Sequence, residues 1–153
     1  INYRLSDINS SIGRKQLERI SEILARRKAN FVDLKLGLDA LENVSVLDVH
    51  DGLSVNSHYC LSAVLDGSLA NKRNEVVKKL NEAGVGTSGY YPHPIPRLAY
   101  YRNKYGFEAS RFPQAARISD QSVALPVGPH LNSDDMAYIS KHFSKIVKEL
   151  HND

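Results

Sequence analysis

The residues best suited to ligand chemistry lie in one proline-rich stretch, residues 90–101. It holds four tyrosines, among them Tyr91, and His93 around three prolines. Proline fixes φ and removes a backbone donor, so the stretch predicts a rigid loop and not a helix or a central strand. Rigid loops that present aromatic hydroxyls and an imidazole commonly line ligand sites. An alternative is supported equally by these residues alone: the tyrosines cover a sheet edge, with their hydroxyls in water.

A second motif, residues 84–89, reads G-x-G-x-x-G, the pattern of a dinucleotide-binding loop. That loop needs a strand before it and a helix after it, because the pyrophosphate rests on the helix N-terminus. Here a helical pattern precedes the glycines and a strand pattern follows them. We therefore interpret Gly84 as the residue that closes a helix.

Metal and nucleophile chemistry lack a matching pattern. The six histidines show no H-E-x-x-H spacing, and no serine lies in a G-x-S-x-G turn. The sequence therefore predicts no metal site. A single cysteine, Cys60, excludes an internal disulfide and a cysteine-based metal centre. It suits a reducing compartment, so we expect a cytoplasmic protein.

Composition limits the classes of partner. The chain has 153 residues, 42% hydrophobic and 24% charged, which suits one globular domain. The formal net charge of +3 is mild, and the densest basic cluster, residues 26–28, lies among acidic residues on a helical pattern. We interpret that cluster as a solvated helix face and expect no nucleic-acid partner. No apolar run approaches the roughly 20 residues that would span a bilayer, so we expect no membrane partner.

The elements that must position these residues begin with an N-terminal arm, residues 1–43. Apolar residues recur there at helical spacing, with Ser6 as the predicted N-cap. The spacing slips by one residue near Gly13, which predicts a kink or break between residues 13 and 17. An arm of this length is unusual for an independent monomer and more naturally spans to another domain or subunit. The first residues show no secretory signal, and we expect the chain to be part of a longer one.

Residues 44–153 alternate between strand and helix patterns and predict a compact domain. Strands are predicted over 44–49, 58–65, 85–91 and 122–127, and helices over 71–83, 97–105, 113–119 and from Asn132 or Ser133 onward. The last helix has an apolar stripe formed by Met136, Ile139, Phe143, Ile146 and Leu150. Two strands joined by a short turn pair antiparallel. The predicted fold class is α+β, a small, mostly antiparallel sheet with helices packed on one face.

Several segments together resemble one protein family. Residues 2–8 (N-Y-R-L-S-D-I), 12–13 (I-G) and 16–19 (Q-L-E-R) are similar to the run that opens the C-terminal part of the DegT/StrS nucleotide-sugar aminotransferases. That run reads N-Y/F-R-[LM]-[ST]-[DN]-I-x-A-A-I-G-x-x-Q-L-E-R, and an R-R-x-x-N matched by residues 26–30 follows it. The family's later landmarks occur here in the same order, at residues 84–87, 91–94, 125–126 and 131–135.

The resemblance implies a fold-type I enzyme that uses pyridoxal 5′-phosphate (PLP). Such enzymes are homodimers that move an amino group from an amino acid, usually glutamate, to a nucleotide-linked keto-sugar for cell-surface polysaccharide or secondary-metabolite biosynthesis. The lysine that holds PLP lies upstream of the N-Y-R segment, in a large domain, and none of the ten lysines here has a matching motif. We therefore expect this chain to be the small C-terminal domain, without a catalytic residue and inactive alone. The alternative is a free-standing, non-catalytic module that binds a partner or a sugar nucleotide.

The resemblance also implies particular binding residues. Asn2 and Arg4 match residues that bind the PLP phosphate or a ligand anion across the dimer, and an amide and a guanidinium suit such a group. The family's Y-P-x-P-L-H segment places its histidine toward the sugar-nucleotide pocket. Here Pro96 occupies that position and His93 the variable one. We predict Tyr91 and His93 as substrate-binding residues, and the departure indicates an unusual acceptor or a distinct family branch.

Overall fold

A computed structural model describes residues 4–48 and 52–151 of the chain. Its described part contains six α-helices and three β-strands. In chain order these are α1 (Asp7–Leu17), α2 (Ile20–Leu38), β1 (Val44–Val46), β2 (Cys60–Leu65), α3 (Arg73–Glu82), α4 (Ala99–Tyr105), α5 (Pro113–Gln121), β3 (Ser122–Pro126) and α6 (Ser133–His151). Short 3-10 turns lie at Gly67–Leu69, Ile95–Arg97 and Ala109–Arg111.

The three strands form one antiparallel sheet in the order β1-β2-β3. Leu61 lies opposite Leu125, and Ala63 lies between Val46 and Val123. Because side chains alternate along a strand, these residues share one face of the sheet. They are joined there by Leu65 in a single apolar core.

Helices α2, α3 and α6 cover this core face. The C-terminal half of α2 contributes Phe31, Leu34 and Leu38, so the N-terminal arm and the compact domain share one core. Every residue of the stripe predicted for α6 is buried, which confirms that helix. The predicted α+β fold, with an antiparallel sheet and its main helices on one face, is confirmed.

The opposite face of the sheet is covered differently, by α5 and the segment before it. Ser45 and Val64 point to this face, as their register with the core residues requires. Arg117 of α5 donates to Asp66 through Nε at 2.8 Å and through Nη2 at 2.6 Å, and its Nη2 lies 3.5 Å from Ser45 Oγ. This pair ties α5 to the end of β2.

Helix α1 stands apart from the core. Ser6 caps it, as predicted, since its Oγ accepts from the backbone N–H of Asn9 at 3.3 Å. Gly13 lies within α1, and the interruption before α2 falls at Glu18 and Arg19. No residue of α1 is buried. None of the described helices is long and apolar enough to cross a membrane.

Three strand predictions differ from the structure by more than one residue. Residues 85–91 form no strand but a single bridge between Ser88 and Ala124. β2 begins at Cys60 and not at residue 58, because His58 has a φ of +45° and cannot continue an extended strand. β1 ends at Val46 in the described chain, and residue 49 of its predicted range lies outside the described residues.

Candidate ligand-binding site

The proline-rich loop is held against the sheet at its start. The backbone N–H of Ser88 donates to the carbonyl of Ala124 at 3.2 Å, and the N–H of Ala124 donates back to Ser88 at 2.9 Å. This bridge adds one residue pair to the free edge of β3. Beyond it the prolines prevent further pairing, so the chain leaves the sheet edge and continues toward α5.

The end of α5 anchors the same loop at two further points. Ser119 Oγ donates to the carbonyl of Tyr91 at 2.6 Å. Arg97 donates through both terminal nitrogens to the two oxygens of Asp120, at 2.7 and 2.8 Å. Arg73 of α3 donates to the carbonyl of Ser119 at 2.6 Å and so fixes α5 itself. The loop therefore has a defined position on the fold.

A cavity of about 640 Å³ lies between the loop and α5. Its lining is mostly apolar, with two tyrosines, one imidazole and one serine as polar groups. The lining residues are Tyr90, Tyr91, Pro92, His93, Pro94, Ile95, Pro96, Leu98, Ala115, Ile118 and Ser119. An apolar cavity of this size with a few polar groups is the usual form of a small-molecule site.

The charges beside the cavity are paired. The hydrogen bonds from Arg97 hold the pKa of Asp120 below its usual value, and the charge of His93 contributes a smaller effect in the same direction. The same pair raises the pKa of Arg97, whose guanidinium is thus engaged with Asp120. None of the described lining residues is a lysine, an aspartate or a glutamate. The arrangement suits binding of a polar, uncharged group by hydrogen bonds.

The structure brings together two of the four predicted site residues. Tyr91 and His93 both line the cavity. Arg4 precedes α1, is exposed and does not line it. Asn2 lies outside the described residues. Within residues 4–48 and 52–151, no group of three His, Cys, Asp or Glu side chains could hold a metal ion.

Sequence reasoning missed the wall that α5 contributes. Ala115, Ile118 and Ser119 meet the loop only through the tertiary fold. One feature of the sequence indicates this wall: Ala115 and Ile118 are three positions apart, so they share a face of α5. The pairing of Arg97 with Asp120, 23 positions later, has no signal in a single sequence.

The G-x-G-x-x-G motif is a helix end, as predicted. Gly84 follows α3 with a φ of +76°, which glycine adopts without steric cost. Its N–H donates to the carbonyl of Asn81 at 3.0 Å, and the N–H of Val85 donates to Leu80 at 2.9 Å. These bonds satisfy the last carbonyls of the helix, which is the usual role of glycine there.

Comparison with solved structures identifies the class of fold. Spr1654 of Streptococcus pneumoniae, a protein named as a sugar aminotransferase, superposes in its PMP form with a TM-score of 0.85 and 25% identity. The match covers 96% of this chain and 36% of Spr1654. An aminotransferase from Psychrobacter cryohalolentis shares the fold, with a TM-score of 0.83 and 20% identity over 99% of this chain and 41% of its own. The fold is that of one part of a sugar aminotransferase.

Sequence comparison gives the family. Residues 1–144 match the DegT/DnrJ/EryC1/StrS aminotransferase family, and the chain belongs to it. The lipopolysaccharide biosynthesis protein RfbH of Salmonella typhimurium is 28% identical over 94% of this chain and 33% of its own length. The dTDP-4-amino-4,6-dideoxy-D-glucose transaminase of Escherichia coli is 24% identical over 92% of this chain and 38% of its own. The chain spans about a third of the length of these relatives.

Proposed function

We propose that this chain is the small C-terminal domain of a PLP-dependent aminotransferase that acts on a nucleotide-linked keto-sugar. The observation that carries the proposal is the family match over residues 1–144. The amino donor that we propose is an amino acid, glutamate by preference. The intact enzyme would act as a cytoplasmic homodimer in the biosynthesis of a cell-surface polysaccharide or a secondary metabolite.

Within that enzyme, the cavity beside α5 would hold part of the nucleotide-sugar. Tyr91 offers a hydroxyl and His93 an imidazole to the hydroxyl groups of a sugar, which both donate and accept hydrogen bonds. The proline and isoleucine side chains of the loop offer apolar surface to the faces of the ring. Because Arg97 is engaged with Asp120, we assign it a structural role and not one in binding the diphosphate.

Asn2 and Arg4 would bind an anion at the other end of the site, across the dimer interface. A guanidinium forms bidentate hydrogen bonds with a phosphate or a carboxylate, and an amide N–H adds a further donor. The PLP phosphate and the substrate carboxylate both fit this chemistry.

The cavity does not fit covalent attachment of PLP, because no lysine is among its described lining residues. When bound, PLP supplies an electron sink for the carbon that loses or gains a proton. We assign that chemistry, and the lysine it requires, to a domain outside this chain. The 153-residue chain alone is then inactive. After treatment with PLP and borohydride, its lysines should carry no more reductively fixed PLP than those of an unrelated lysine-containing protein, as measured by mass spectrometry.

The experiment that tests the cavity uses the intact enzyme, with this chain joined to the domain that carries the PLP lysine. Two half-reactions are followed separately by the visible absorption of the cofactor, one with glutamate and one with a nucleotide-linked keto-sugar. Tyr91→Phe and His93→Ala should each raise the KM for the sugar about tenfold, since each removes a hydrogen bond to the substrate. The glutamate half-reaction should be unchanged.

Two control variants make the result specific. Tyr105→Phe removes an exposed tyrosine hydroxyl that is outside the cavity, and it should leave both half-reactions unchanged. Arg4→Ala should weaken PLP binding without changing the KM for the sugar. If Tyr91→Phe and His93→Ala behave as Tyr105→Phe does, the cavity is not the sugar site. If the intact protein transfers no amino group at all, the proposed function itself is wrong.

A further inference from the structure

A second cavity, of about 310 Å³, shares Tyr90 with the first and lies between the start of β2 and the loop after β3. We call it the Arg27 cavity. Its walls are rich in hydrogen-bond donors, namely the side chains of Arg27, Tyr59, Tyr90 and His130. None of the described residues that line it is acidic. Among these described lining residues, the positive charge of Arg27 therefore has no acidic partner.

Arg27 is the centre of that charge. Its Nε is buried without a hydrogen-bond partner in the described part of the chain. Its Cζ lies 5.4 Å from the centroid of the Tyr59 ring, where the ring face attracts a cation. The neighbouring Arg26 differs, because its Nη2 lies 3.0 Å from Glu22 Oε1. A buried donor without an acceptor costs free energy, which a bound acceptor would recover.

Two tyrosine hydroxyls accompany the guanidinium. The rings of Tyr59 and Tyr90 have centroids 6.1 Å apart. Hydrogen bonding to Tyr90 raises the pKa of Tyr59, an effect that outweighs the opposite influence of the Arg27 charge. Because a hydroxyl both donates and accepts, the linked pair of tyrosines can still donate a hydrogen bond to a ligand.

The opposite wall is held in place before any ligand binds. Asn30, one turn after Arg27 in α2, donates to the carbonyls of Gly128 at 2.9 Å and Leu131 at 3.1 Å. Gly128 in turn makes room for His130, since a Cβ at Gly128 would lie 2.5 Å from Cε1 of that ring. Sites whose groups are fixed in advance bind more tightly, because less conformational entropy is lost on binding.

We propose that the Arg27 cavity binds a small anion, a carboxylate or a phosphoryl group, through the Arg27 guanidinium and the hydroxyls of Tyr59 and Tyr90. A guanidinium pairs bidentately with either group, and hydroxyl donors complete the set. The volume accommodates such a group with a few atoms attached. This binding does not depend on the aminotransferase function proposed above.

The test is an NMR titration of the 153-residue chain, whose core is formed by its own residues. Sodium phosphate and sodium acetate are added separately at pH 7, with sodium chloride adjusted to hold the ionic strength constant. We expect saturable shifts of the backbone amides of Ser88, Gly128 and His130. Saturation with phosphate alone assigns a phosphoryl ligand, and saturation with acetate alone assigns a carboxylate. Saturation with both assigns the shared anion site.

Three variants separate the site from general surface charge. Arg27→Gln should weaken binding of the anion that saturates the site about tenfold, because the substitution removes a charge-assisted pair of hydrogen bonds. Tyr59→Phe keeps the ring beside Arg27 and loses only the hydroxyl, so binding should weaken severalfold. Lys28→Gln removes the same charge from an adjacent, exposed position and should leave the affinity unchanged. The proposal is overturned if neither anion saturates these amides, or if Arg27→Gln and Lys28→Gln have equal effects.

Discussion

Arg97 and Asp120 show how a single pair of side chains defines the larger cavity. Both oxygens of Asp120 accept from Arg97, at 2.7 and 2.8 Å, and this pair closes the loop onto α5. Bidentate pairs between arginine and a carboxylate fix orientation as well as distance. The position of Tyr91 and His93 over α5 therefore depends on a charge pair whose two members are not among the described residues that line the cavity.

The pair should make stability depend on pH in acid. An aspartate in an unfolded chain has a pKa of about 3.9, and Arg97 lowers the pKa of Asp120 in the folded chain. The unfolded chain therefore binds more protons as the pH falls, so the stabilisation is complete above about pH 5 and is lost as the pH drops through the folded pKa. Asp120→Asn should lower the free energy of unfolding at pH 7 by about 0.5–1 kcal/mol, because both side chains are partly exposed. Urea unfolding at pH 7 and pH 3.5 measures this.

The control for this prediction is Asp33→Asn. Asp33 is exposed in the middle of α2 and forms no ion pair with another described residue. Asp33→Asn should therefore leave the difference in the free energy of unfolding between pH 7 and pH 3.5 unchanged. Asp120→Asn should reduce that difference. The remaining pH dependence comes in part from Asp66, whose pKa the hydrogen bonds from Arg117 lower. Equal pH dependence in the two variants would show that the pair does not stabilise the fold.

The sequence predicted only the part of the site that is formed by residues close together in the chain. Tyr91 and His93 could be proposed because prolines beside aromatic residues predict a rigid loop from adjacent positions alone. Ser119 and Asp120 could not be, since their role arises when α5 packs beside a loop more than 20 positions earlier. Such contacts depend on the tertiary fold, and a single sequence has no periodicity that reports them.

At the scale of elements, helices α2 and α6 approach each other closely at Gly37 of α2. A Cβ at this position would overlap Ser140 Oγ of α6 and lie 2.8 Å from Ser140 Cβ. Replacing glycine by alanine in a helix gains up to about 1 kcal/mol of propensity, whereas overpacking costs about 1–3 kcal/mol. We expect the overlap to dominate, so Gly37→Ala should lower the free energy of unfolding by about 1–2 kcal/mol in urea.

Two further variants isolate the cause of that loss. Gly13→Ala in α1 has no heavy atom within 4 Å of the new Cβ, so it should not destabilise the chain. Ser140→Gly combined with Gly37→Ala removes both overlapping atoms and should restore most of the lost stability. A loss in Gly13→Ala equal to that in Gly37→Ala would refute the packing explanation.

The elements that the sequence predicted well are those with a long, one-sided apolar pattern. α6 was predicted correctly because its apolar stripe repeats over about four turns and all of it is buried. The strand expected over residues 85–91 was wrong, because only Ser88 meets β3 before the prolines turn the chain away. The slip at Gly13 did not interrupt α1, since one glycine costs a helix only about 1 kcal/mol. Short-range patterns thus predict long, one-sided elements well and sheet edges poorly.

At the scale of the whole molecule, the chain divides its apolar residues between a buried core and an exposed helix. The core is formed by α2, α3, α6 and the sheet. α1 has its own apolar stripe, yet Ile8 and Ile12 are 74% and 57% exposed, and Leu5, just before the helix, is 72% exposed. An exposed apolar face of this kind is typical of an interaction surface. The expectation that the arm reaches another domain or subunit stays a prediction.

This division predicts opposite outcomes for two sets of substitutions in the 153-residue chain. Ile8→Gln with Ile12→Gln should change the free energy of unfolding by less than about 0.5 kcal/mol, because both residues are exposed and glutamine is a good helix former. Phe143→Ala should lower it by about 3–5 kcal/mol, because the ring is fully buried in the apolar core. Urea unfolding followed by circular dichroism measures both. If the double glutamine variant loses as much stability as Phe143→Ala, then α1 packs on the core of its own chain, and the stripe is not an unpartnered surface.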